Sequence, residues 1–87
     1  MNKTHYTYIL RSTKDQGLYI GETANLKVRL QRHQAGEVIS TRFHRPLKLV
    51  YYECFISRKD AKARERYLKS GYGREQIKII LRDTLGY

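Results

Sequence analysis

This sequence has little sulfur, little acid and no long apolar run. Its single cysteine, Cys54, excludes an internal disulfide, and a cytoplasmic location is expected. No stretch approaches the ~20 apolar residues of a membrane span, and Met1 to Tyr6 is too polar for a secretory leader. One cysteine and three scattered histidines, His5, His33 and His44, do not make a structural zinc pattern. Nothing positions a base beside Cys54, which argues against a Cys-His hydrolase and leaves Cys54 as a small core residue. Repeats, linkers and low-complexity segments are absent. At 87 residues the chain is expected to be one domain, 1–87. A chain of that size buries roughly 60–65% of its unfolded surface, enough for a modest core.

Acid is scarce in proportion. Asp plus Glu number 8 against 18 for Lys plus Arg, a net charge of +10. That excess favours a polyanionic partner, nucleic acid first. The alternative is a solvated basic surface that keeps the protein soluble.

What is present is organised around Leu18 to His33, LYIGETANLKVRLQRH. Leu18-Tyr19-Ile20 reads as a strand that stops at Gly21. Thr23 to Asn25 offer short polar side chains that cap a helix start. The helix is expected over about Ala24 to Ala35, with Gly36 ending it. On a 3.6-residue period Leu26 and Leu30 share a stripe, with Arg29 and His33 four apart on its border. Before it, His5 to Leu10 reads as a first strand and Ser12 to Gly17 as a turn, so the two strands form a hairpin. Tyr8 and Tyr19 then lie on neighbouring strands, where suitable register puts both rings on one face.

Beyond the helix, Glu37 to Arg45 has no period. It carries Arg42, His44 and Arg45 around Phe43, a composition that suits phosphate contact and equally suits a plain surface loop. Pro46 introduces a third strand, Leu47 to Phe55, in which Leu47, Leu49 and Tyr51 alternate with Lys48, Val50 and Tyr52. Ser57 to Asp60 reads as a capping-box variant. The helix it opens runs to about Ser70, with Gly71 as its stop. Ala61, Glu65 and Leu68 share one face of that helix, which turns a carboxylate inward. A last helix, about Arg74 to Leu85, places Ile77, Ile80, Leu81 and Leu85 on one stripe, with Glu75 and Asp83 toward solvent.

Tyr6-Thr7-Tyr8 followed by Tyr19-Ile20-Gly21 resembles the paired motif of the GIY-YIG nuclease family. The second half-motif is intact. In the first, where the family name has Gly-Ile-Tyr, only Tyr8 matches. The family's arginine falls on Arg29, eight residues after the glycine, and its helix histidine on His33. The likeness continues through LKLVYYE and ARERYLKSGYGRE, and it is greatest to the small stand-alone members. It implies an α+β fold with a small, mainly antiparallel three-stranded sheet flanked by helices, in the order ββαβαα. It also implies that Glu65 is the metal-binding glutamate. Read from the residues alone, Glu65 is a rim glutamate paired with an arginine.

The implied chemistry is hydrolysis of nucleic-acid phosphodiesters, DNA above all, in DNA processing or repair with little sequence specificity. Mg²⁺, or Mn²⁺, commonly binds through one or two carboxylates with waters and substrate phosphate, so Glu65 would suffice as a protein ligand. Arg29 offers a fixed fork of donors to a phosphate oxygen. Tyr8 and Tyr19 are candidates for proton relay and water positioning, and His33 is a further candidate base or support. Arg32, Arg42, His44 and Arg45 are the expected nucleic-acid contacts. The alternative function is a non-catalytic basic nucleic-acid-binding module on the same scaffold.

Overall fold

The computed structural model describes residues 3–87. Strands β1 (His5–Ser12) and β2 (Leu18–Thr23) form the expected hairpin, and β3 (Leu47–Phe55) pairs with β1 on its other side. All pairing is antiparallel, in the order β2-β1-β3. Helix α1 (Leu26–Gln34) follows β2. Helices α2 (Arg58–Lys69), α3 (Gly71–Ile80) and a short α4 (Arg82–Leu85) follow β3. The ββαβαα order is thus present, with α4 and one 3-10 turn, Arg42–His44, added.

Because β1 is central, both of its faces are covered. Thr7, Tyr8, Ile9 and Leu10 are all buried, and their side chains alternate between two small cores. Tyr8 and Leu10 pack with Leu47, Leu26 and Leu30 under α1. Ile9 packs with Leu68, Ile77 and Leu81 under α2 and α3. Two polar ties fix α2 to the sheet. Thr7 Oγ1 donates to the Ala61 carbonyl at 2.7 Å, and Arg64 grips both carboxylate oxygens of Glu53, at 2.8 and 3.1 Å.

Several boundaries differ from the sequence expectation, each for a local reason. Strand β2 does not stop at Gly21 but runs on to Thr23, paired with Tyr6. Helix α1 starts only at Leu26, because Asn25 is the cap and accepts from the Val28 N–H. Ser57 precedes α2 but makes no capping bond, so the expected capping box is not formed. Gly71 opens α3 rather than merely ending α2, since the Ser70 hydroxyl caps the new helix through the Gly73 N–H. Helix α3 ends at Ile80, and the chain turns at Leu81 before α4. That break leaves Ile80 exposed while Ile77 and Leu81 are buried.

Strand β3 carries an irregularity. Ile9 pairs with Tyr51 but Leu10 pairs with Leu49, which leaves Val50 as the extra residue of a bulge. Leu49 therefore joins the core under α1, while Val50 and Tyr51 join the other. The expected single face of Leu47, Leu49 and Tyr51 is split at that point. Cys54 is exposed, not a core residue. It pairs with Tyr6 near the end of β3, on the face where Tyr52 is also exposed and α1 gives no cover.

Candidate active site

Tyr8 sits in the central strand directly opposite Gly21 in the edge strand β2. With no side chain at Gly21, the tyrosine ring lies across that position toward the sheet edge. A Cβ there would stand 2.5 Å from Tyr8 Cζ and closer still to the hydroxyl. Helix α1 then brings two side chains, one from its middle and one from its last turn, onto that hydroxyl. Arg29 Nε donates to Tyr8 Oη at 3.3 Å, and His33 Nε2 lies 2.9 Å from it. On its other side His33 Nδ1 meets the Thr41 hydroxyl at 2.7 Å, and both residues are buried. Arg29 and His33 reach one point because they stand four apart on one helix.

Burial sets the protonation states here. It raises the Tyr8 hydroxyl above its ordinary value, an effect that Arg29 offsets in part. Burial, and then the Arg29 charge, lowers His33 below the ordinary imidazole value. At neutral pH the pair is therefore a protonated tyrosine beside a neutral imidazole. A neutral imidazole has one donor and one acceptor nitrogen, so of the Tyr8 and Thr41 hydroxyls one gives a proton to it and the other receives. The row from Tyr8 through His33 to Thr41 is thus a continuous chain of hydrogen bonds.

A pocket of about 370 Å³ opens over this row and is also lined by Tyr19 and Glu65. Glu65 comes from α2, on the far side of the sheet, and reaches the pocket round the edge strand. Its side chain is 21% exposed and pairs with Lys69 Nζ at 3.1 Å, a lysine four residues on rather than an arginine. Tyr19 and Tyr8 do share one face of the hairpin, as their register requires. Burial, and then the charge of Asp15, raises the Tyr19 hydroxyl.

All five residues expected to act together, Tyr8, Tyr19, Arg29, His33 and Glu65, line this one pocket. The expected nucleic-acid contacts are dispersed. Arg32 is exposed in an adjoining basic hollow with Arg58 and Lys62. Arg42 and Arg45 line a separate hollow with Lys14. Arg45 is held there by bonds from its guanidinium to the Arg42 and Gln34 carbonyls. His44 pairs with Asp15 and lies against the Tyr19 ring, 5.1 Å between centroids, so it latches the loop to the hairpin turn.

Glu22, Thr41, Lys69 and Arg74 also line the pocket and were not anticipated. The Glu22 side chain is only 8% exposed, with Arg58 Nε at 3.6 Å, His5 Nδ1 at 3.7 Å and Lys62 Nζ at 3.9 Å. Carrying the period-2 alternation of β2 past Gly21 would have found it, on the face of Leu18 and Ile20. Thr41 lies in the aperiodic loop and gives no signal, and nothing marks Lys69 or Arg74 among the other cations. Among the described residues no cluster of three or more His, Cys, Asp or Glu forms a preformed metal cage. Glu65 and Glu22 nevertheless turn two carboxylates toward one pocket. An all-oxygen set of that size, completed by waters and a phosphate, fits Mg²⁺ or Mn²⁺ and not zinc.

The model of the GIY-YIG catalytic domain matches residues 4–78. The chain belongs to the GIY-YIG family. A UPF0213 protein of Haloquadratum walsbyi is 43% identical over 77 residues, which cover 87% of this chain and 84% of that protein. A UPF0213 protein of Oceanobacillus iheyensis is 40% identical, over 92% of this chain and 93% of that one. The solution NMR structure of a UPF0213 protein from Bacillus halodurans superposes with a TM-score of 0.55 at 32% identity, over 88% of this chain and 84% of that one. These relatives are small stand-alone GIY-YIG proteins. In this GIY-YIG chain the intact half-motif is the edge strand, whose glycine admits the tyrosine of the first half-motif. The altered residues of that first half point elsewhere: Thr7 toward α2, and Tyr6 toward the Tyr52 ring.

Proposed function

We propose that this protein is a metal-dependent endonuclease that hydrolyses DNA phosphodiesters with little sequence preference, in DNA processing or repair. The reading is supported above all by the Tyr8 hydroxyl, which crosses Gly21 to meet both His33 and Arg29 in the pocket that Glu65 lines. Arg29 uses only Nε on Tyr8, and its two Nη groups hold no partner among the described residues. They grip a phosphate oxygen and offset the charge that develops on phosphorus. Tyr8 works as a relay rather than as a tyrosinate, since burial keeps it protonated. As water attacks phosphorus, its proton passes to Tyr8 Oη, and the Tyr8 proton passes to the neutral Nε2 of His33. The P–O bond to the leaving oxygen then breaks. Tyr19 holds the attacking water from the same face. Glu65, with Glu22 lining the same pocket, would hold Mg²⁺ or Mn²⁺, and that ion would supply charge to polarise the phosphate and stabilise the leaving oxygen.

The altered first half-motif does not weigh against activity, because Tyr6 and Thr7 do not line the pocket. A cytoplasmic site of action agrees with an exposed free thiol at Cys54. The test is incubation with duplex, branched and single-stranded DNA in Mg²⁺ or Mn²⁺, with EDTA as control. Metal-dependent cuts are expected. Binding without cleavage of any form would leave a nucleic-acid-binding module on the same scaffold.

A further inference from the structure

On the far flank of α1 from the Tyr8 pocket lies an open groove of about 790 Å³. Its floor is apolar, from Leu26 and Leu30, and its wall is the ring pair Tyr6 and Tyr52. Those rings meet edge to face, 6.0 Å between centroids, and Tyr52 is 53% exposed. Lys27 and Gln31 form the rim, no carboxylate lines it, and the Gln31 amide makes no hydrogen bond among the described residues. The family's name has glycine at the position of Tyr6, where this chain carries a ring.

The groove is not isolated. It shares Ala24 and Asn25 with the basic hollow of Arg29, Arg32, Arg58 and Lys62. That hollow in turn shares Arg29, Glu22 and Glu65 with the Tyr8 pocket. Three depressions therefore follow one another round the start of α1: reactive, basic, then aromatic. A nucleic-acid strand carries matching chemistry in the same order, a scissile phosphate, a neighbouring phosphate and a base.

We propose that the groove beside Tyr6 and Tyr52 is a subsite for one unpaired nucleobase of the strand whose phosphate Arg29 grips. The proposal rests on the nuclease reading for that phosphate contact. The base has to be unpaired, because a duplex hides base faces in its stack and only an extruded base can lie on a tyrosine ring. Gln31 then supplies a donor and an acceptor to the base edge, and Lys27 meets the flanking phosphate. A second copy of this chain is a poor occupant, since each carries +10. The consequence is a preference for strands with an unpaired nucleotide close to the cut.

Anisotropy titrations without metal, on a labelled single strand and on the same sequence as duplex, test this. Tyr52→Ala should weaken single-strand binding by about tenfold or more, the scale of one lost base stack, while duplex binding changes less than about twofold. Tyr52→Phe, which keeps the ring, should bind like the parent. An abasic nucleotide moved along the strand should weaken the parent at one position and leave Tyr52→Ala unaffected there. Unchanged single-strand affinity in Tyr52→Ala overturns the subsite, as does an equal loss on both DNA forms. So does a parent dimer, seen by sedimentation, that Tyr52→Ala dissolves. If the subsite fails while Arg29→Lys still abolishes cleavage, the nuclease reading stands without it. If the parent binds no strand even at low salt, both fall together.

Discussion

Gly21 and Tyr8 make the site as a pair, since the hydroxyl reaches the sheet edge only through space that a methyl group would fill. Gly21→Ala therefore displaces the ring from His33 and Arg29. The expected cost of overpacking is about 1–3 kcal/mol of stability. Cleavage should fall much further than stability, by orders of magnitude, in a variant that still melts cooperatively. Full activity in Gly21→Ala would show that the Tyr8 position is incidental. His33 gives a second residue-scale prediction. Its folded-state pKa lies below the ordinary histidine value because burial and Arg29 disfavour the imidazolium. The unfolded chain then binds more protons in that range, so the stability His33 contributes is complete above about pH 6.5 and is lost as pH falls through the folded value. Melting temperatures from pH 7.5 to 5 should fall, and fall less in His33→Asn. The acid limb of cleavage should likewise have its midpoint below 6.5. Much of this was legible: Tyr8, Tyr19, Arg29 and His33 stood out through motif and helix spacing. Glu22 and Thr41 did not, because one lies past a glycine that reads as a strand end and the other in a loop without period.

At the scale of elements, the tight corner between α2, the helix that carries Glu65, and α3 fixes how the two helices pack. Gly73 is buried there, and a Cβ on it would stand 2.5 Å from Leu68 Cα and closer still to the Tyr67 carbonyl. Backbone cannot yield as a flexible side chain does. Gly73→Ala is expected to cost about 3 kcal/mol or more, read as a large drop in urea midpoint, whereas Gly71→Ala, with open space round it, should change little. Equal melting of the two variants would refute this packing. Element types and order were readable because the apolar periods of the helices are strong and β1 is rich in β-formers. The β3 bulge was not, since Val50 and Tyr51 are both apolar and alternation cannot say which is the extra residue. The break at Leu81 was hidden in the same way, because Ile77, Ile80, Leu81 and Leu85 fit one continuous stripe on paper. Cys54 was misread as core because residue type does not reveal where a covering helix ends.

The whole molecule carries +10, and its cations lie on both flanks of α1 as well as in the loop beyond it. DNA binding should therefore weaken steeply with salt, since each neutralised phosphate releases counterions. A flat salt response would remove nucleic acid as the partner. Charge alone does not distinguish a nuclease from a binding module, however, and Glu65 does. Its carboxylate is half-buried in the pocket, where the proposed hard cation requires it, yet among the described residues its only ion-pair partner is the exposed Lys69. Replacing it with the isosteric amide removes one surface ion pair of small worth. The decisive measurement is Mg²⁺-dependent DNA cleavage by Glu65→Gln beside the parent, with melting temperature and DNA affinity recorded for both. The expected result is a loss of cleavage by orders of magnitude with melting and binding unchanged. Equal cleavage by the two proteins, or no cleavage by the parent with any divalent metal, would contradict the account.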